Sequence, residues 1–317
     1  MKKTDTLYIL MPCYNEEKVI ENSVCELTSV LKQLITKKKI SKKSRLFIID
    51  DGSSDSTVSI IRSLMTDNNY VSGLVLSRNY GQQNALMCGL KHISDKADMV
   101  ITIDADLQDD ISVIEEMILK YYDGIDVVYG VRKSRKKDSF FKRNTAQFFY
   151  RFMTKMGVEI VYNHAEFRLL SKRVINELDG FEERNLFLRG IIPLIGFSSD
   201  KVYYERKKRM GGTSKYSLKK MINLALDGIT SFSIKPIRLI FNLGLIMLVL
   251  SFVVIMYSIA VKLLGKTVSG WTFIVCSIWL ISGIQMISLG IIGEYIGKIY
   301  SETKKRPRYI IKEELKN

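Results

Sequence analysis

The chain has 317 residues, 47% of them hydrophobic and 26% charged, enough for one large domain plus an appendage and too apolar for a mostly disordered chain. Lys plus Arg number 48 against 33 Asp plus Glu, a formal net charge of +15. Four scattered cysteines without a CxxC pair exclude a disulfide scaffold and a zinc site, and point to a reducing compartment.

In chain order, "LYILM" (Leu7–Met11) reads as a buried strand stopped by Pro12, which also makes it too short for a signal peptide. Ile20, Val24, Leu27, Leu31 and Leu34 follow at helical spacing. "RLFII" (Arg45–Ile49) is a second strand, and Val58, Ile61 and Leu64 mark a helix after it. "GLVLS" (Gly73–Ser77) precedes a helical Ala85–Ile93, and "MVITI" (Met99–Ile103) precedes a helical Val113–Tyr121. "DVVYGV" (Asp126–Val131) is a fifth strand. Strands alternating with helices predict an α/β domain with a mostly parallel sheet, covered on both faces.

Such sheets bind ligands at the carboxyl ends of their strands. Here each strand hands over to a polar cluster: "PCYNEE", "DDGSSD", "SRNYGQQN", "DADLQDD" and "RKSRKK". There is no GxGxxG and no GxxxxGK[ST], so neither a dinucleotide fold nor a P-loop is supported. Asp104 and Asp106 alternate on an extended backbone, which turns both carboxylates the same way. A carboxylate pair suits Mg²⁺ or Mn²⁺ held together with substrate phosphate oxygens, and Gln108 could add a carbonyl or a bridging water. Asp109 and Asp110 read as caps of the next helix. A cation on two carboxylates fits a nucleotide diphosphate as leaving group. Asp50 and Asp51 could accept from its base or ribose, with Arg78 on the same rim and Gly52 allowing a close turn.

Leu239–Leu264 carries Lys262 as its one charge, and Trp271–Ile292 carries none. Each is about the 20 residues a helix needs to cross a bilayer, and the short "GKTVSG" between them predicts a hairpin. Lysines and arginines crowd both outer flanks, which places the N-terminal domain and the tail in the cytoplasm and the protein in the cell membrane. The resulting division is a catalytic domain 1–210, a juxtamembrane amphipathic segment 211–238, two spans within 239–293 and a basic tail 294–317.

"MPCYNEE", "IDDGSSDST", "LSRNYGQQNAL", "IDADLQD", "FRLLSKR" and "RMGGTSKYS" resemble, in that order, the motifs of family-two glycosyltransferases, and among them the polyprenyl-phosphate branch. The resemblance spans about Leu7 to Arg308. It implies an A-type glycosyltransferase fold with the two C-terminal helices, a divalent metal, a nucleotide-sugar donor and a phosphorylated polyprenol acceptor. It implies that Pro12, Tyr14, Glu16 and Asp51 line the nucleotide pocket, and that Asp104, Asp106 and Gln108 hold metal and diphosphate. Arg132 matches a phosphate-contacting arginine, and Arg209, Ser214 and Lys215 a basic loop for the lipid phosphate. Asp106, Glu166 and Arg132 are then the candidate catalytic residues.

Glu166 stands where many relatives carry an aspartate read as the base, one methylene shorter. A phosphate monoester has a second pKa of about 6 and needs little deprotonation near neutrality. Glu166 is therefore expected to position the sugar, or the side chains of Arg168 and Arg132. The implied activity is inverting transfer of one sugar, glucose or N-acetylglucosamine from a UDP-linked donor, to undecaprenyl phosphate at the cytoplasmic face, for cell-envelope glycosylation. Several copies could share a membrane interface. A processive polysaccharide synthase would need more spans and a QxxRW segment; a membrane-anchored nucleotide-sugar-binding protein is the other alternative. Nucleic acid is not an expected partner, because the basic charge gathers beside the spans.

Overall fold

The computed structural model describes residues 4–133, 164–184, 186–206, 236–238 and 270–315, with scattered positions between 240 and 257. Most of the expected juxtamembrane segment, most of the first span, and Arg209, Ser214 and Lys215 lie outside them.

Strands β1 (Leu7–Cys13), β2 (Arg45–Asp50), β3 (Val71–Leu76), β4 (Met99–Thr102), β5 (Val127–Arg132), β6 (His164–Ser171), β7 (Ser199–Tyr204) and β8 (Ile311–Leu315) form one sheet in the order β7-β5-β6-β4-β1-β2-β3-β8. The β1–β2, β1–β4, β2–β3 and β5–β7 ladders are parallel; β6 runs antiparallel between β4 and β5, and β8 runs antiparallel beside β3. Helices α1 (Ile20–Thr36), α2 (Thr57–Thr66), α3 (Gln82–Ile93) and α4 (Ile114–Tyr122) follow the first four strands. Two shorter helices, α5 (Lys172–Asp179) and α6 (Leu188–Leu194), precede β7.

The apolar runs continue because both faces of the sheet are covered. Leu7, Ile9 and Met11 of β1 join Val24, Leu27 and Leu31 of α1 in one core, all at most 1% exposed. Leu10 and Ile49 point the other way, and their methyl groups abut Gly89 on α3. Burying aliphatic side chains this fully is worth about 1.5–3 kcal/mol each relative to exposure. Pro12 does not end β1; it stays in register with Ile49, beyond the β4 ladder, whose last pair is Leu10 with Thr102.

The described residues fall into two units, one containing the sheet and residues 306–315, the other containing α7 (Trp271–Thr303). That helix is continuous over 33 residues. Among the described residues no helix is long and apolar enough to cross a membrane. Several side chains between Trp271 and Leu280 are outside them too, so the expected hairpin stands on the sequence. Within the stretch expected to be a basic tail, Ile311–Leu315 forms strand β8 beside β3.

Candidate active site

The carboxyl ends of β1, β2, β4 and β5, the loop after β3, and the start of α3 gather the polar clusters at one edge of the sheet. Asp51, 3% exposed, accepts from Tyr80 N at 2.7 Å on one oxygen and from Gly81 N at 2.9 Å on the other. It thus anchors the loop that carries Arg78, whose guanidinium lies 4.6 Å over the Tyr80 ring. Gly52 beside it has φ +69°, and a Cβ there would stand 2.4 Å from the Arg78 carbonyl carbon. The close turn expected of this glycine is therefore against the next loop. Asp50 is fully buried and accepts from Ser53 N at 2.9 Å; burial raises its carboxyl above the ordinary range.

The β1 and β2 loops are stitched together. Asn15, at φ +53°, donates its N–H to Ser53 Oγ at 2.9 Å and accepts from Ser54 N at 2.9 Å. Glu16 N donates to Thr57 Oγ1 at 3.0 Å, and its carbonyl starts α1 by accepting from Val19 and Ile20. Pro12 is buried in the strand, while Tyr14 is exposed at the rim.

After β4 the chain turns, with Leu107 N on the Asp104 carbonyl at 3.3 Å and Leu107 at φ +43°. Asp104 accepts from Gln82 Nε2 at 2.6 Å. Its carboxyl is pushed up to about 6, first by burial and then by the charges of Asp109 and Asp106, with Arg189 and Arg132 opposing. Asp106 accepts from Gln108 N at 3.3 Å. These two half-buried carboxylates on one turn suit a hard divalent cation, since a bound positive charge relieves their crowding. Among the described residues no three His, Cys, Asp or Glu form a metal cluster. Two carboxylates leave room in a divalent cation's shell for substrate phosphate oxygens. The Gln108 side chain, expected beside them, accepts from the guanidinium of Arg206.

The two remaining aspartates separate. Asp110 caps the 3₁₀ turn Ile111–Val113, accepting from Ser112 N at 3.2 Å. Asp109 is no cap. It is 2% exposed and takes both the Tyr204 hydroxyl and Arg132 Nη2.

Glu166, 5% exposed, lies at the far side of the cluster, where its carbonyl accepts from Thr102 Oγ1 at 2.5 Å. One carboxylate oxygen pairs with Arg168; the other accepts from Arg189 Nε at 2.7 Å and Gln83 Nε2 at 3.3 Å. The expected partner Arg168 is present; Arg132 is not, because Asp109 holds it, and Arg189 takes its place. Gln82, Gln83, Tyr204, Arg206 and Arg189 join the site although no local pattern in the sequence singles them out. Gln82 and Gln83 belong to the polar cluster "SRNYGQQN", but an amide gives no sign of which acid it reaches.

Residues 8–179 match the model of glycosyl transferase family 2, and residues 235–299 match the GtrB C-terminal hairpin. An uncharacterized glycosyltransferase of Bacillus subtilis (strain 168) is 50% identical over 98% of this chain and 92% of its own. The prophage bactoprenol glucosyl transferase homolog of Escherichia coli (strain K12) is 39% identical, over 96% of this chain and 97% of that one. The bactoprenol glucosyl transferase of Shigella phage SfV is 39% identical over 96% and 98%.

Proposed function

The chain belongs to glycosyl transferase family 2, and within that family we propose that it transfers one sugar from a nucleotide-diphosphate sugar to a polyprenyl phosphate. The observation that carries this reading is that two kinds of charge meet at one sheet edge, the Asp104–Asp106 turn and the Glu166–Arg168–Arg189 group, joined through Gln82 and Gln83. The full-length likeness to bactoprenol glucosyl transferases supports the acceptor class.

In this reading Asp104 and Asp106 would hold Mg²⁺ or Mn²⁺, whose charge would offset that of the donor diphosphate. Gln82 keeps Asp104 in place, and the loop anchored by Asp51 borders the nucleotide. Arg132, fixed by Asp109 and Tyr204, offers a preset positive charge to phosphate oxygens, which costs no reorganisation during reaction. Glu166, paired with two arginines, acts as a positioning residue. Attack by the lipid phosphate on the anomeric carbon, opposite the departing diphosphate, inverts configuration. We read the donor as UDP-linked glucose or N-acetylglucosamine. The C-terminal helices form the membrane hairpin, with catalysis at the cytoplasmic face, a placement supported by the matched hairpin family and the basic flanks.

The test is membranes containing the full-length protein, incubated with undecaprenyl phosphate, Mn²⁺ or Mg²⁺ and a panel of labelled nucleotide sugars. A lipid-linked product from one donor is expected, lost in Asp106→Asn. No product from any donor, with Asp106→Asn indistinguishable from wild type, would overturn the reading.

A further inference from the structure

Gln83, in the first turn of α3, closes a ring of hydrogen bonds between α3, α6 and Glu166 of β6. Its Oε1 accepts from Leu188 N at 3.0 Å, and its Nε2 donates to Glu166 Oε1 at 3.3 Å. Arg189, next along α6, donates Nε to that same Oε1 at 2.7 Å. Arg168 holds the other oxygen of Glu166, so the carboxylate is pinned at both ends.

Arg189 is therefore gripped through Nε. Its side chain remains 26% exposed, and among the described residues neither Nη1 nor Nη2 donates a hydrogen bond. A guanidinium held this way presents a planar fork of donors, matched to two oxygens of one phosphate. The adjacent amides of α3 tie the two groups to one end of that helix, Gln82 to Asp104 and Gln83 to the Glu166 oxygen that Arg189 grips. If Arg189 served only to neutralise Glu166, Arg168 would already supply that charge, from a fully buried position. The second, partly exposed arginine on the same carboxylate is what a structural role leaves over.

We propose that Arg189 is a phosphate-binding residue of this crevice, taking two oxygens of a phosphate ester through Nη1 and Nη2, and that Gln83 is the positioning residue that aims it. The assignment rests on the transferase reading above. The phosphate has two sources, the donor diphosphate and the phosphate of the lipid acceptor. Gln83 acts through Glu166 Oε1 and Leu188 N, so its loss leaves the charge and releases its aim.

The experiment uses the full-length protein in lipid nanodiscs with Arg189→Gln, Arg189→Lys and Gln83→Met. It measures KM separately for undecaprenyl phosphate and for the nucleotide sugar, and equilibrium binding of undecaprenyl phosphate and of UDP with Mn²⁺. Arg189→Gln should weaken one phosphate ligand at least tenfold while the other stays within twofold. Arg189→Lys should recover part of that loss, and Gln83→Met should weaken the same ligand about threefold with the melting temperature held. A shift confined to undecaprenyl phosphate names the acceptor as the source; a shift confined to the nucleotide sugar and UDP names the donor. Unchanged KM and unchanged binding of both ligands, or a fall in kcat and melting temperature alone, would overturn the proposal. If wild type forms no lipid-linked product, the transferase reading fails by itself, and the two binding measurements still decide Arg189.

Discussion

Asp109 holds Arg132: Nη2 of the arginine lies 3.2 Å from Asp109 Oδ1, the oxygen that also takes the Tyr204 hydroxyl. Burial opposes the Arg132 charge, but Asp109 and Tyr204 outweigh it and keep its pKa above the usual range. The acidic turn thus carries its own buried counter-charge, and one of its four aspartates is committed to the protein and unavailable to a ligand. A buried carboxylate with two partners contributes little net stability while intact, but breaking one partner away leaves an uncompensated charge.

Asp109→Ala should therefore destabilise strongly, by about 3–5 kcal/mol, and free the Arg132 side chain. Tyr204→Phe removes one of two donors and should cost about 1–3 kcal/mol. Denaturant titration of the purified protein measures both. Equal losses for the two variants would show that Arg132 contributes nothing to holding Asp109.

Gly52 and Gly81 both adopt positive φ, at +69° and +90°, yet they should respond differently to alanine. At Gly81 nothing lies within 4 Å of an added Cβ, so the cost is backbone strain alone, on the order of 1 kcal/mol. At Gly52 the methyl group meets the Arg78 backbone at 2.4 Å and must push the loop away from Asp51. Gly52→Ala should weaken UDP binding about tenfold or more, the equivalent of 1.4 kcal/mol per decade, while Gly81→Ala stays within about threefold. Titration calorimetry with UDP and Mn²⁺ separates them, and equal losses would contradict the loop contact.

Asp104 is charged near neutrality against burial and two neighbouring carboxylates. Removing that charge should relieve the site while disabling it, a trade common where function stores strain. Asp104→Asn is expected to raise the melting temperature at pH 7.5 by a few degrees without divalent cation. Added Mn²⁺ with UDP should then stabilise wild type more than the variant. A variant that melts below wild type in cation-free buffer would show that the Gln82 hydrogen bond outweighs the repulsion.

Glu115 offers a pH test away from the site. Lys37 at 2.8 Å and Lys39 at 2.5 Å lower its carboxyl to about 2. A carboxyl lowered on folding stabilises above its ordinary pKa of about 4.3, and that stabilisation fades as pH falls toward the folded value. Glu115→Gln should melt slightly below wild type at pH 7, and the two curves should converge as pH falls from about 4 to about 2. High salt should also close the gap at pH 7, because the pair is exposed. A gap that survives both changes would assign the effect to packing.

Strands β1 to β5 were legible because each is a short apolar run ended by polar residues, a pattern set by burial on both faces. β6 was read as a motif, since nothing local says that His164–Ser171 inserts between β4 and β5. β7 and β8, "SDKVYY" and "IKEEL", are polar edge strands that bury only alternate or terminal residues. At the site, Asp104 and Asp106 were visible from their spacing. Asp109 was misread because helix-cap preference is local, while its partners lie 23 and 95 residues away. The amides of Gln82 and Gln83 reach acids 22 and 83 residues downstream, a relation that only the folded sheet edge creates.

The last strand gives the last prediction. β8 covers the edge of β3, and just before it the Ile310 carbonyl accepts from Ser77 N at 2.9 Å. Ser77 opens the loop that Asp51 anchors, so the C-terminal segment and that loop share one backbone connection. The exposed Arg62–Glu313 ion pair contributes little by itself, about 0–1 kcal/mol. Glu313→Ala should therefore leave both melting temperature and UDP affinity nearly unchanged. Ending the chain at Tyr309 removes the ladder and the Ser77 contact together, and leaves β3 as an unprotected edge. That truncation should lower the melting temperature by several degrees, weaken UDP binding severalfold and promote aggregation, read by light scattering. Truncated protein that binds UDP as tightly as full-length protein would confine β8 to covering the edge, with no hold on the loop.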